Sequence, residues 1–390
     1  MLTRQGWLVS ALAAGTLLSG RLFGLDELYV VGAGLGALVL FTAVWVGSAR
    51  VQLRVERRLR PQRVHAGHDA RVDIAVTNLT NRRSRILRLH DPVSSTPGAT
   101  AEIGPILPGA TGRLAYRLPT ERRGITMVGP LTATVGDPFG LAQVSLVAAG
   151  VDELTVYPRV DQVLPVPVTL GHDPHGGAED PPGLGRIGED FYALRSYTVG
   201  DDLRRVHWPT TARRGELMVR QDELPWQGRA TVLVDLRRDH FDEPAFERAL
   251  SVVASVVSAE RGRRDLLRLV TTDGGDSGFG AGSAHVEALL EYLATAETTT
   301  RGTLQGSVTG LRRAGNSGAL VVVVGSATAE DLAAVRTLHA SFASVTVVDV
   351  RRGPAGLPVG PGEGVIVLEP GSDFPALWND WIGARRVAHR

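Results

Sequence analysis

A membrane helical hairpin, an all-β sandwich-like domain and an α/β doubly wound domain, in that order, are the architecture this 390-residue sequence predicts. Three observations predict it. Two long uncharged stretches lie before Ser48. Between residues 51 and 160, valine, threonine and leucine alternate with polar residues at the period of two that marks half-buried strands. Beyond residue 229, continuous apolar runs of strand length alternate with helical periodicity, the pattern of a parallel sheet covered on both faces. The expected boundaries are 1–49 for the hairpin, 50–160 for the β-domain, 161–228 for a linker carrying a signature motif, and 229–390 for the α/β domain.

Composition narrows the chemistry. Basic and acidic residues nearly cancel, 42 against 41, which argues against a globally basic nucleic-acid binder. Cysteine is absent, removing disulfides, thiol catalysis and cysteine-based zinc sites. Lysine is absent too, so every basic residue is arginine. That excludes Schiff-base lysines and a phosphate loop that depends on lysine. The bias reads as that of a GC-rich bacterial genome. No cofactor is expected.

The hairpin comes first. Leu28 to Ser48 is 21 residues without a charge. As a helix it is about 31 Å long, matching a hydrocarbon core of about 30 Å. Gln5 to Gly20 is the second uncharged run, extended to about Leu25 by a snorkelling Arg21. Tyr29 and Trp45 sit near interface depth, and Gly32 with Gly36 offers a small face for close helix packing. Arg50, Arg54, Arg57, Arg58, Arg60 and Arg63 follow, with Glu56 as the one acid among them. The positive-inside rule then puts both termini and the later domains in the cytoplasm, as a two-pass protein of the cell membrane. A cleaved signal peptide fits less well, because a full-length span follows at once. Gly32-Ala33-Gly34-Leu35-Gly36-Ala37 matches a dinucleotide-binding fingerprint, but Leu38 to Val46 is apolar on every side except Thr42.

In the β-domain, Arg71–Thr77 and Gly112–Leu118 alternate as strands, with turns at Asn78–Asn81, Pro97-Gly98, Pro108-Gly109 and Asp137-Pro138. His65 and His68 read as surface histidines. Glu121-Arg122-Arg123-Gly124 reads as a turn before a strand rather than an anion site. His172 and His175, in the proline- and glycine-rich connector, lack a visible third metal ligand.

Gly188 to Arg220 is the most distinctive stretch, alternating charges of both signs with aromatics. Gly200-Asp201-Asp202 is a turn signature whose acids are placed to cap a short helix from about Leu203. Arg195, Arg204, Arg205 and Arg213 supply planar forks for carboxylates or phosphates. One reading is an Arg/Asp/Glu network, including Glu216, that locks the segment onto the next domain. The other is a surface for an anionic ligand or a partner. Acid chemistry is disfavoured, since arginines lower the pKa of neighbouring carboxylates.

Arg195, Tyr197, Gly200, Asp201, Asp202, Arg204, Trp208, Ala212, Arg213, Gly215 and Leu217 form an ungapped pattern that resembles the family catalogued as domain of unknown function 58. Arg122-Arg123-Gly124 and Asp137-Pro138-Phe139-Gly140-Leu141 resemble two further elements of that family. The resemblance implies an N-terminal membrane hairpin and a von Willebrand factor A-like C-terminal domain. It also implies gene neighbourhood with MoxR-type AAA ATPases and transglutaminase-like membrane proteins, both candidate partners. It implies no biochemical activity.

Strands are expected at Ala230–Asp235, Leu266–Thr271, Leu320–Val324, Val345–Val350 and Val365–Leu368, with helices at Glu243–Arg261, His285–Ala296, Thr328–Phe342 and Phe374–Arg386. Asp235 ends the first strand, at the edge where such sheets bind ligands. An A-domain with a working metal site resembles Asp-x-Ser-x-Ser there, an oxygen shell for a hard ion. This chain has Asp235-Leu236-Arg237-Arg238-Asp239, with arginine at one serine position. Asp235 is the surviving position of a degenerate site, and no metal is expected. Gly275-Asp276-Ser277-Gly278 echoes a serine-protease loop in the wrong fold. The expected function is a membrane-anchored, non-enzymatic scaffold or adaptor. The alternative is an anion- or ligand-binding receptor or enzyme built on the Arg/Asp motif.

Overall fold

The computed structural model describes residues 1–48, 52–167, 193–197, 206–221, 228–263, 265–314, 318–353 and 364–388. They divide into two units, Met1–Val160 with Leu290–Ala296, and Asp161–Leu289 with Glu297–Arg390.

The first unit opens with α1 (Arg4–Phe23) and α2 (Asp26–Gly47), both long and apolar enough to cross a membrane. Thr3 caps α1, its Oγ1 accepting from the Gly6 amide at 3.0 Å. Gly24 closes it at φ 68°, a left-handed conformation that glycine adopts without a Cβ penalty. The close helix contact is at Gly32, where a Cβ would meet Leu17 Cγ at 2.6 Å and Thr16 Oγ1 at 2.8 Å. The expected second small residue, Gly36, plays no such part: a Cβ there meets nothing within 4 Å.

Ten strands follow: β1 (Leu53–Arg60), β2 (Arg63–His65), β3 (Ala70–Asn78), β4 (Leu87–Asp91), β5 (Ala99–Ile103), β6 (Thr111–Leu118), β7 (Gly124–Val128), β8 (Leu131–Gly136), β9 (Gln143–Ala149) and β10 (Asp152–Tyr157). They make three sheets, ordered β1-β3-β6, β5-β4-β8-β9 and β2-β10-β7. The alternation read from sequence is the burial pattern of β3, whose Ala70, Val72, Ile74 and Val76 point inward. They join Leu89, Leu131, Leu154 and Val156 in one shared core. The Asp137–Leu141 element builds a turn: Asp137 Oδ1 accepts from the Phe139 amide at 2.8 Å, and Oδ2 from Ala142. That turn receives the start of α1, with the Thr3 amide donating to Leu141 O at 2.9 Å and Thr3 Oγ1 to Gly140 O at 2.6 Å.

The second unit carries β11 (Ala193–Ser196), α3 (Trp208–Arg214), β12 (Met218–Gln221), β13 (Arg229–Val234), α4 (Glu243–Ala259), β14 (Leu266–Thr271), α5 (Gly282–Thr295, whose last turns group with the first unit), α6 (Leu304–Arg313), β15 (Ala319–Gly325), α7 (Ala329–Arg336), β16 (Ser344–Val350), β17 (Val365–Leu368) and α8 (Phe374–Ala388). Its main sheet is parallel throughout, in the order β14-β13-β15-β16-β17. β15 is buried at all seven residues, which is why its sequence is an unbroken apolar run. The helix expected over Thr328–Phe342 is shorter: α7 ends at Arg336 and a 3₁₀ turn, Thr337–Ala340, follows. α6 lies outside the helices that periodicity predicts. Gly306 and Gly310 lower its intrinsic propensity, and burial of Leu304, Val308 and Leu311 overrides them.

Residues 161–166, expected as a loose linker, are hydrogen-bonded along α4 and α8. The Asp161 amide donates to Ser255 Oγ at 2.9 Å, the Leu164 amide to Asn379 Oδ1 at 2.7 Å and the Val166 amide to Glu260 Oε1 at 2.8 Å. Trp378 Nε1 returns a bond to Leu164 O at 2.8 Å.

Candidate functional site

Two places in the second unit bear on function. The first is the carboxyl end of the parallel sheet. Asp235 follows β13 and is fully buried. Its Oδ1 accepts from the Arg237 amide at 3.0 Å and from Arg237 Nε at 2.9 Å, and its Oδ2 from Arg237 Nη2 at 2.9 Å. Arg237 Nη1 reaches Asp331 Oδ1 on α7 at 3.0 Å. One guanidinium therefore bridges two carboxylates. Burial works against the Arg237 charge, but hydrogen bonds to Asp235 and Asp331 outweigh it and raise the pKa. Burial would likewise raise Asp331, yet the bonds from Arg237 and Thr328 together hold it below the usual carboxylate range. Asp331 is doubly committed, because it also completes a capping box with Thr328, whose Oγ1 donates to Asp331 Oδ2 at 2.9 Å.

The resemblance noted from sequence would place a hard cation at this edge, and the residues present do not fit one. Both oxygens of Asp235 are engaged by Arg237, which sets a fixed positive charge against the one carboxylate at that strand end. Thr272, whose Oγ1 lies 3.4 Å from Asp235 Oδ1, and Asp331 complete the cluster; neither was singled out in the sequence. The signal for such sites was an Asp-x-Arg repeat. Asp349-Val350-Arg351, at the end of β16, repeats Asp235-Leu236-Arg237, with Arg351 Nε 3.0 Å from Asp349 Oδ2.

The second place is the signature segment. β11 and β12 pair antiparallel, with Arg195 opposite Val219. Between them Val206 bridges Val219 and α3 begins at Trp208, while Leu203, the expected helix start, lies outside the described residues. Pro209 suits its first turn, and Gly215 ends it at φ 72°. The Thr211 hydroxyl accepts from the Met218 amide at 3.0 Å, and the Tyr197 amide donates to Leu217 O at 2.8 Å. Val206, Met218 and Val219 are buried beneath. Trp208, by contrast, is 65% exposed. Arg213 and Glu216 are also exposed, and neither forms an ion pair with any described residue. Gly200, Asp201, Asp202, Arg204 and Arg205 lie outside the described residues, as do His172 and His175.

Elsewhere the decoys resolve into structure. Arg123 donates to Leu293 O at 3.0 Å and to Ala296 O at 2.5 Å, within the first unit. Asp276 pairs with Arg268, while Ser277 Oγ accepts from the Leu269 amide at 2.9 Å, so that loop is a tied turn. His65 Nδ1 sits 3.1 Å from Pro158 O. Arg57, counted from sequence among the juxtamembrane charges, is instead sealed in the β-core. It lies 2.7 Å from Asp91 and 2.8 Å from Asp152, so its charge is spent internally.

Comparison with known proteins adds the following. The CARDB domain of the PF1109 protein from Pyrococcus furiosus is 18% identical, with a TM-score of 0.21, covering 27% of this chain and 92% of that one. A GH2 beta-galacturonidase from Eisenbergiella tayi is 9% identical, with a TM-score of 0.17, covering 77% of this chain and 40% of that one. Neither score carries an argument about fold. The uncharacterized protein YeaD of Bacillus subtilis is 26% identical over 185 residues, which is 47% of this chain and 45% of YeaD, so the match spans less than half of that relative. Residues 193–360, which hold both the signature segment and the Arg237 cluster, match the family described as protein of unknown function DUF58.

Proposed function

We propose that this chain is a membrane-anchored, non-enzymatic adaptor whose signature segment is the docking surface. The observation that carries this reading is Trp208. A large indole, 65% exposed, stands on a short helix fixed over buried Val206, Met218 and Val219. Tryptophan and arginine are the residue types that most often dominate interface energies, and Arg213 lies on the same helix. The hairpin would hold the chain in the cell membrane with both termini and the soluble units in the cytoplasm. The second unit would be a von Willebrand factor A-like domain that presents surfaces rather than a metal, a reading supported by the guanidinium on Asp235.

The first partner to test is a MoxR-type AAA ATPase, and a transglutaminase-like membrane protein is the second. Trp208→Ala with Arg213→Ala, introduced into the full chain in native membranes, should abolish co-purification of the ATPase without lowering the melting temperature. Undiminished co-purification would remove the signature segment from the interface. A C-terminal reporter should stay protected from external protease in intact cells. The exposed Arg213, with no described carboxylate beside it, also favours a second reading, an anion- or ligand-binding receptor or enzyme using Arg195, Arg204 and Arg213. Saturable binding of a small anion, lost on Arg213→Ala, would favour it over the adaptor.

A further inference from the structure

A basic pocket of about 660 Å³ opens where α2 ends, within the first unit. Its lining includes Ser48, the cap of α2, together with Arg82, Arg83 and Arg85 from the β3–β4 loop, and among the described residues it holds no acid. The loop is pre-organised. Asn78, 1% exposed, donates through Nδ2 to Arg82 O at 2.7 Å and to Ile106 O at 3.0 Å, while its Oδ1 accepts from the Thr80 amide at 3.0 Å. Arg85 fastens the loop to the helix end: Nη1 donates to Trp45 O at 2.6 Å, and the guanidinium stacks 3.6 Å from the centre of the Trp45 ring. Arg82 and Arg83 are exposed and have no ion-pair partner among the described residues.

The depth of the pocket supplies the second argument. Trp45 near the end of α2 and Trp7 near the start of α1 mark the same end of the hairpin, and Trp7 is 66% exposed on the apolar face. Tryptophans concentrate at the level of lipid headgroups. Ser48 lies three residues beyond Trp45, about 4.5 Å further along the helix axis, where phosphates of the same leaflet would lie.

We propose that this pocket binds the phosphate of an anionic phospholipid headgroup, with Arg82 and Arg83 as its ligands and Arg85 holding the loop in place. The proposal rests on the hairpin's being in a membrane. Basic clusters just beyond a membrane helix and basic pockets between such helices recur as lipid-headgroup sites, and each arginine near the surface contributes about 1 kcal/mol. Losing two should therefore weaken binding about thirtyfold.

The test uses the full chain in detergent, with phosphatidylglycerol, phosphatidylcholine or inorganic phosphate added, read by native mass spectrometry and melting temperature. Phosphatidylglycerol should bind saturably and raise the melting temperature. Arg82→Gln with Arg83→Gln should weaken this binding about thirtyfold, while Arg71→Gln with Arg117→Gln, exposed arginines outside the pocket, should leave it intact. Equal binding of phosphatidylcholine, or binding unchanged in the double variant, would overturn the proposal. Full saturation by inorganic phosphate would overturn the lipid as the ligand. Carbonate extraction separates the two readings. A chain that stays in the membrane but shows no Arg82/Arg83 dependence loses the pocket and keeps the anchor. A chain washed off by carbonate that still binds phosphatidylglycerol through Arg82 and Arg83 does the reverse.

Discussion

Both units hold a guanidinium between two carboxylates, and they do so in different places. Arg57 lies in the seam of the β-unit, its side chain 1% exposed, and its partners Asp91 and Asp152 come from strands far along the chain. Tyr116 joins them through a 2.7 Å bond to Asp91, and burial together with that carboxylate pushes the phenol well above its usual pKa. Arg237 sits at the carboxyl edge of the parallel sheet, its side chain 18% exposed, and its first partner is two residues away. The same chemistry thus ties sheets together in one unit and links a strand-end carboxylate to a helix in the other. What distinguishes the two is where the topology puts them, not which residues they contain.

Breaking the first cluster should cost most. Arg57→Ala leaves buried Asp91 without its cation, and the loss should be about 3–5 kcal/mol in denaturant unfolding of the detergent-solubilised chain. A loss below about 1 kcal/mol would mean the network is idle. Arg237→Ala should cost somewhat less, about 2–3 kcal/mol, because the site is nearer solvent and Asp331 keeps its bonds from Thr328. Its companion sharpens the contrast. Arg237→Ser puts a hydroxyl beside two carboxylates, so magnesium at about 100 times its dissociation constant should stabilise that variant by about 2.7 kcal/mol, and the unsubstituted chain not at all. A magnesium-dependent rise in the unsubstituted chain would show that Arg237 does not keep a cation out.

Glu260 is the counter-example, a buried acid with one amide donor, with Arg263 Nε 3.2 Å away and the negative Asp265 also close enough to act on it. Burial raises its pKa from 4.5 to about 6, against the lowering by the Val166 amide and Arg263. The folded state therefore binds this proton more tightly than the unfolded state. Its contribution is fully present below pH 4.5 and is lost as pH rises through about 6. The size is on the order of 2 kcal/mol, and Glu260→Gln should flatten that part of the stability profile. The smallest effect is expected at Arg213, where alanine should change stability by no more than about 0.5 kcal/mol. A drop of several kcal/mol there would mean that the signature is a structural lock after all.

The parallel sheet was legible because its strands are apolar at every position, as in Leu320–Val324, and the hairpin because charge is absent over Leu28–Ser48. The charged clusters were harder to read. Arg57 looks like one of six similar arginines, and nothing local says that Asp91 and Asp152 will close around it. Asp235 was recognised by its place at a strand end, but Asp331 comes from a helix 94 residues away in the fold's ordering, and only packing brings it to Arg237. The signature segment drew the eye for its charges. Its described part stands out for an exposed tryptophan on a buried Val-Met-Val base.

The bonds along residues 161–166 bear on how the gene can be cut. A fragment started at residue 229 would leave the Trp378 indole, itself fully buried, without its acceptor at Leu164, and would strip Asn379 and Glu260 of their amide donors. Even the family match, which begins at residue 193, omits this strip. A soluble α/β fragment should start at or before Asp161, and proteases should leave Asp161–Val166 uncut in it, because a chain bonded at every second or third amide cannot lift into an enzyme's cleft.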